Sequence, residues 1–445
     1  MKFSTVTKEG GRPMSLEKFI TDMLNIELSE IESLNSIPHS DGSIVIKVKL
    51  CRKENVSCPL CHGYVKIHGY YPRKLLHSTL VNRKCTIIYD QRRYSCDSCE
   101  FTFHEKNPFN NSSEKVTYET IINVLKELKK TNATYTSTAK MFNLSPTKVQ
   151  RIFDKHVNIP RKPLPEVLSI DEHYFPNSDQ DGIYILVLMD FITGVVVDVL
   201  SDRKKDSLIR YLSDIKNKTY DPKTHRSELD NVKFVSIDLT DNFRDIAHTY
   251  FPKASICADS FHVTKNLTQA FRTIRTRLRR NTKDENMQYL LTKFKYIFNF
   301  DKDLDNEAKW NKRYKRYMNY RDIINLIFTN FPELEKAYDL KNLYLQFNRN
   351  TDLEHAKDDL SNLIKKFGES GIKEYEEFYT LLINWNQEII NSFIKVKDRR
   401  IHNSYIESRN AKIERLIMNA YGLSNFKRTR NRILYCINKD DTYHI

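Results

Sequence analysis

The sequence reads as a multidomain α+β protein on three observations: two CxxC knuckles near the N-terminus, a helix-turn-helix pattern after them, then β-branched strands alternating with helices. At 445 residues the chain exceeds one ordinary core and divides into several domains. The expected segments are 1–50, a helix and a strand; 51–110, a zinc-binding ribbon; 111–160, a helix-turn-helix; 161–265, the first part of an α/β core; 266–400, an all-helical insertion; and 401–445, the core's C-terminal helical part. A hydrophobic fraction of 40%, with 25 Tyr and 24 Phe, supplies packed cores and excludes a disordered chain. Against 57 acidic residues stand 72 Lys and Arg, a net +15, which favours a polyanionic partner such as nucleic acid. The first residues lack a secretory h-region and no run is long enough to cross a bilayer, so no membrane is implied and the expected location is the cytoplasm.

The first element is the ribbon. Cys58-Pro-Leu-Cys61 and Cys96-Asp-Ser-Cys99 present two pairs of thiolates, the donor set of a closed tetrahedral structural Zn²⁺ site. The alternating TIIYDQRRYSC between them fits strands, with Gly63 and Gly69 available for turns. Cys51 and Cys85 form no such pair, Cys257 and Cys436 read as core, and His62 and His104 are not needed as ligands.

The next pattern is TYTSTAKMFNLSPTKVQRIFDKHV. Ala139 stands where two helices touch, Asn143 where the turn requires left-handed backbone, and Val149 and Ile152 face inward from the second helix. Ser145-Pro146 is an N-cap followed by proline in the first turn. That leaves Thr147, Lys148, Gln150 and Arg151 on the outer face, where a recognition helix meets the major groove of double-stranded DNA.

After the linker Arg161-Lys162-Pro163-Leu164-Pro165, VLSIDEHYF, GIYILVLMDF and GVVVDVLSD form a meander. A helix over DSLIRYLSDIKN leads to the strand NVKFVSIDL, a second helix over NFRDIAHTYF, and a last strand ASICADSFHV. This is the order of an RNase H-like α/β sheet, in which the first and fourth strands are central neighbours. Asp171 and Asp238 lie at corresponding positions on those strands, and two carboxylates so placed call for a cation, Mg²⁺ or Mn²⁺. A third acid on a helix remains open between Glu407 and Glu414 in HNSYIESRNAKIERLIMNAYG, where Ile406, Ile413, Leu416 and Ile417 mark the buried stripe.

Together the CxxC pairs, SIDEHYF, SIDLTDNFRDIAHTYFPKA followed by ADSFHVTKNL, and ESRNAKIERLIMNAYGLSNFKRTRNRIL resemble the bacterial insertion-sequence transposases of the ISL3 family, over nearly the whole chain. The resemblance implies a zinc finger and helix-turn-helix fused to a DDE core, with Asp171, Asp238 and Glu407 as catalytic, metal-binding acids. It also matches Asp259 and His262 to a motif that comes after the second catalytic acid, implying that they orient a ligand or touch the scissile phosphate, with Asp259 as the alternative second acid. Glu172 stands where a second acid is common. The activity implied is that of a DNA transposase performing phosphodiester hydrolysis and transesterification on terminal inverted repeats and target DNA. It is expected to act as a homodimer or higher oligomer and to lie on the nucleoid when DNA-bound. A non-catalytic DNA-binding regulator and a stand-alone metal-dependent nuclease are the alternatives.

Between His262 and Glu407 the chain is rich in Lys, Glu, Leu and Tyr, and FRTIRTRLRR puts Arg272, Arg275 and Arg279 near one helical face, beside Arg277 and Arg280, for phosphate contact.

Overall fold

The computed structural model describes residues 24–80, 83–110, 115–174, 184–401, 404–419 and 425–445. The chain divides into two compact units, Met1–Ile159 with Met418–Tyr421 and Lys439–Ile445, and Pro160–Ile417 with Gly422–Asn438. No helix among the described residues is long and apolar enough to cross a membrane.

The first unit begins with a sheet of β1 (Ile31–Pro38), β2 (Ile44–Leu50), β3 (Val65–Leu80), β4 (Arg83–Cys96) and β5 (Thr102–His104), in the order β1-β2-β4-β3 with β5 also on β4. The single strand expected within 1–50 is therefore a hairpin, and the helix expected ahead of it falls mostly on residues outside the described set. Arg92, almost fully buried, ties this hairpin to the ribbon: its guanidinium reaches Glu32 at 2.7 Å, Glu105 at 3.2 Å and the Leu50 carbonyl. Gly69 makes no turn; it marks a register shift within β3, so the ribbon is two long strands rather than several short ones.

Three helices come next, α1 (Tyr118–Leu128), α2 (Tyr135–Met141) and α3 (Pro146–His156). Thr134 and Ser137 form a capping box on α2, Ser145 Oγ accepts the Lys148 N–H at 3.2 Å at the start of α3, and Asn143 turns the chain with φ of 55°. Ala139, Val149 and Ile152 are buried between the helices, as their spacing predicts. Ser145→Ala is expected to cost about 1 kcal/mol of this unit's stability, read as a lower urea midpoint with an unchanged slope. Residues near the C-terminus rejoin the helices: the His444 N–H donates to the His156 carbonyl at 2.9 Å, and Lys129 Nζ donates to the Asp441 carbonyl at 2.5 Å.

The second unit is built on a five-stranded mixed sheet. β6 (Val167–Tyr174), β7 (Tyr184–Asp190) and β8 (Val196–Leu200) form the antiparallel meander. After α4 (Lys205–Thr219), β9 (Phe234–Ile237) pairs parallel to β6, and after α5 (Asp241–Tyr250), β10 (Ser255–Ala258) pairs parallel to β9, giving the order β10-β9-β6-β7-β8. Most residues of β6, β7 and β8 are buried, which explains their continuous apolar runs.

Beyond β10 come α6 (Ser260–Asn281), α7 (Glu285–Lys293), a hairpin of β11 (Lys309–Asn311) and β12 (Arg316–Met318), then α8 (Tyr320–Asn330), α9 (Pro332–Asn350), α10 (Ala356–Gly368), α11 (Glu376–Asn384) and α12 (Asn386–Asn391). A second small hairpin, β13 (Lys395–Val396) and β14 (Arg399–Arg400), precedes α13 (Ser404–Asn419) and α14 (Phe426–Ile437). The insertion is thus not all-helical. Nor does it own a separate core: one cluster of buried side chains runs from Leu168, Leu188 and Val235 of the sheet through Leu267 and Ile274 of α6 to Leu334, Tyr344 and Leu382. At the end of the chain Arg430 of α14 donates to buried Asp198 of β8 at 2.6 Å, and Tyr211 of α4 donates to the same carboxylate at 3.0 Å.

Candidate active site

The parallel register of β6 and β9 pairs Ser169 with Ser236, so two residues further on it sets Asp171 opposite Asp238, just past the end of β9. Their carboxyls lie close enough to act on each other. Burial first, and then the Asp238 charge, push the Asp171 carboxyl up to about 8. Asp171 also accepts the Glu172 N–H at 2.9 Å and Asn410 Nδ2 at 2.5 Å.

Asp259 comes directly after β10. The strand ends at Ala258, so Asp259 is the N-cap of α6, with its Oδ1 accepting the Phe261 N–H at 3.3 Å, and His262 stands in the first turn of that helix rather than at a strand end. Spacing of three residues on a helix returns the imidazole over its own cap: His262 Nδ1 lies 2.8 Å from Asp259 Oδ2 and 3.1 Å from Asp238 Oδ1. Burial opposes a charge on this ring, but the hydrogen bonds to Asp238 and Asp259 outweigh it and raise its pKa to about 10.

Glu407 arrives on α13, whose buried Ile406, Ile413, Leu416 and Ile417 are the predicted stripe. The helix is held by Arg409 Nε, which donates to the Gly194 carbonyl of the β7–β8 turn at 2.9 Å, and by Asn410 on Asp171. Burial and then the Asp259 charge raise the Glu407 carboxyl above its usual range, with a smaller contribution from Asp238. Glu414 is exposed, about two turns further along the same helix, and its charge falls on His173. Glu172 points off the cluster and pairs with Arg203 at 2.6 Å.

Asp171 within β6, Asp238 just past β9, Asp259 just past β10, His262 on α6 and Glu407 on α13 therefore lie near enough for their charges to act on one another. Asp238, Asp259 and His262 each place a ligand atom within 4.8 Å of the others. Crowded, buried carboxylates mark where a cation is favourable, and their oxygens suit a hard divalent ion. Asn410 was not anticipated as a partner of Asp171; the face it shares with Glu407 was the only sequence signal.

In the first unit the four knuckle thiols also converge. Cys58 and Cys99 Sγ lie 3.6 Å apart, Cys61 and Cys96 3.4 Å, and Cys61 and Cys99 3.4 Å, near the roughly 3.8 Å edge of a tetrahedron with about 2.3 Å Zn–S bonds. Each knuckle closes on a left-handed residue, His62 with φ of 58° and Glu100 with φ of 59°, which is the role of His62. The Cys99 and Ser98 N–H groups draw the Cys96 thiol down to about 6. A Cβ on Gly63 would sit 2.7 Å from Ser98 Oγ and 3.3 Å from Cys61 Sγ, so a larger residue there would force Ser98 to rotate and crowd the thiols.

On α3 Thr147 and Arg151 are exposed, and Lys148 and Gln150 are half-buried. The arginines of α6 divide. Arg272 is exposed and Arg279 half-buried, but Arg275 donates to the Leu291 carbonyl of α7, and Arg277 is held by Glu333 and Glu374, each at 2.5 Å. Arg275 thus spends one donor on a carbonyl, and Arg277 its donors on acids, all brought from other elements and invisible in the local run.

A family model for DDE transposases of the ISL3 type, described as Transposase, matches residues 168–433, more than half of the chain. No curated protein matches it.

Proposed function

Since the chain belongs to the ISL3 transposase family, we propose that it binds the ends of an insertion sequence and carries out metal-dependent DNA cleavage and strand transfer. The observation that supports this reading is that Asp238, Asp259 and His262 place ligand atoms within 4.8 Å of one another, with Asp171 and Glu407 close enough for their carboxyls to feel the charge of that cluster.

In this reading Asp171, Asp238 and Glu407 hold Mg²⁺ or Mn²⁺, which supplies activation of the attacking hydroxyl and neutralisation of the leaving oxygen. Asn410 fixes the rotamer of Asp171, and Asp259 fixes His262, whose positive ring meets a phosphate oxygen. Water attacks at the element end, leaving a 3′-hydroxyl, and that hydroxyl attacks target DNA at the same acids without a covalent protein intermediate. The segments keep the roles assigned from sequence: zinc ribbon and helix-turn-helix for end binding, the core for chemistry, the protein acting as a homodimer or higher oligomer. Incubation with end-sequence duplex, target plasmid and Mg²⁺ tests the proposal. Joined products support it, cleavage alone reduces the protein to a nuclease, and binding alone to a regulator.

Thr147, Lys148, Gln150 and Arg151 read sequence in the major groove, whereas Arg272 and Arg279 contact phosphates. Gln150→Ala with Arg151→Ala is expected to cost about 1–3 kcal/mol of discrimination per lost base contact. Arg272→Ala with Arg279→Ala is expected to weaken all duplexes alike and flatten the salt dependence. Indistinguishable salt titrations of the two double variants would refute this division.

A further inference from the structure

The β11–β12 hairpin carries two of the most exposed aromatic side chains of the described residues: Trp310 is 53% exposed and Tyr317 68%. They are direct cross-strand partners, with ring centroids 5.3 Å apart at 69°. Alternation explains the arrangement. Neighbouring Asn311 and Met318 turn inward and are buried, Met318 in the large core, and Asn311 Oδ1 accepts the N–H groups of Arg313 and Tyr314 to brace the turn. The rings are thus displayed from a rigid mount, and an edge-to-face pair leaves open ring surface on both.

The surroundings of the pair are cationic. Lys309, Lys312, Lys315 and Arg316 are all exposed, and none forms an ion pair with a described residue; Arg313 alone is taken up, by Glu285 at 2.7 Å and Asn286 at 2.6 Å. Cations alone would suit a phosphate backbone, and aromatics alone a protein surface. Open π-faces interleaved with unpaired positive charge match a nucleotide whose base is out of the duplex and whose phosphates remain in reach.

We infer that this hairpin is a stacking site for an unpaired nucleotide of DNA, with Trp310 and Tyr317 receiving the base and Lys309, Lys312, Lys315 and Arg316 the flanking phosphates. The inference rests on the transposase reading, in which strand cleavage exposes such nucleotides, and it assigns the hairpin a contact distinct from the groove-reading helix and the acids.

The test uses the full chain and two DNA probes, a fully paired duplex and the same duplex with a short single-stranded overhang. The chain has two tryptophans, and Trp385 is buried under Arg244, so Trp385→Phe leaves Trp310 as the sole reporter. The overhang probe is expected to quench Trp310 emission and the paired duplex to leave it nearly unchanged. In the otherwise unaltered protein, Trp310→Ala is expected to weaken the overhang probe about tenfold and the paired duplex by less than about twofold, with Trp310→Phe recovering most of the loss. Equal loss on both probes, or none on either, would overturn the inference while leaving duplex binding and the transposase reading intact. A fall from dimer to monomer in sedimentation without DNA, caused by Trp310→Ala, would overturn it by making the hairpin a protein interface. Failure of the wild type to bind either probe would overturn both readings together.

Discussion

Asp171→Asn, Asp238→Asn and Glu407→Gln are each expected to yield a folded protein that binds element ends with unchanged affinity and neither cuts nor joins them, a loss of roughly 10³-fold or more. Each exchange removes one negative oxygen with almost no change in shape, so the packing of β6, β9 and α13 survives. Asp171→Asn also relieves the burial and crowding that push its carboxyl upward, so the melting temperature should hold or rise. Asp259→Asn separates the roles within the cluster. Asparagine still caps α6 and still accepts a hydrogen bond from His262, so activity should fall about 10- to 100-fold rather than vanish. Parallel cleavage assays at matched DNA occupancy decide the matter. Robust cleavage by Asp238→Asn beside a dead Asp259→Asn would make Asp259 the second acid and remove Asp238 from that role.

Cys58→Ser or Cys96→Ser is expected to release zinc and melt the knuckle end of the ribbon. The reason lies in how little else holds it: the local core is Cys58, Val65, Tyr94 and Cys96, with Val56, Ile67 and Phe103 packed at its margin. Two of the four buried residues are thiols of the proposed zinc site, and a closed Cys₄ site contributes on the order of 10 kcal/mol or more in comparably small domains. Hydrogen exchange should accelerate around residues 58–67 and 94–103, while β1 and β2, anchored through Arg92, stay protected. End-specific DNA binding should weaken with the catalytic acids untouched. Zinc analysis of wild-type protein purified without chelator provides the control, and absence of the metal there would end the proposal.

Much of this architecture was legible because it is written in local patterns. Apolar runs gave β6 to β10, Ser145-Pro146 and Asn143 gave the turn into α3, and CxxC spacing gave the thiol cluster. Strand order alone brought Asp171 to Asp238. The features that stayed hidden depend on partners distant in sequence. Arg92 meets Glu32 from 60 residues away, Asn410 meets Asp171 across 239, and Arg275 and Arg277 are claimed by α7 and by acids far along the insertion. His262 was misplaced by one element because ICADSFHV stays apolar across the point where Asp259 stops the strand and starts the helix. Periodicity over so few residues does not separate the two.

The rejoining of residues 439–445 to the helices of the first unit sets an order on synthesis. A ribosome delivers the zinc knuckles, the β1–β5 sheet and all three helices early, but the contacts to His156 and Lys129 wait until Asp441 and His444 have been made. By then the whole of 160–438 has been synthesised. The unit assigned to DNA reading therefore acquires its last hydrogen bonds only on a chain that already carries a complete five-stranded sheet, and a product truncated before residue 439 lacks them.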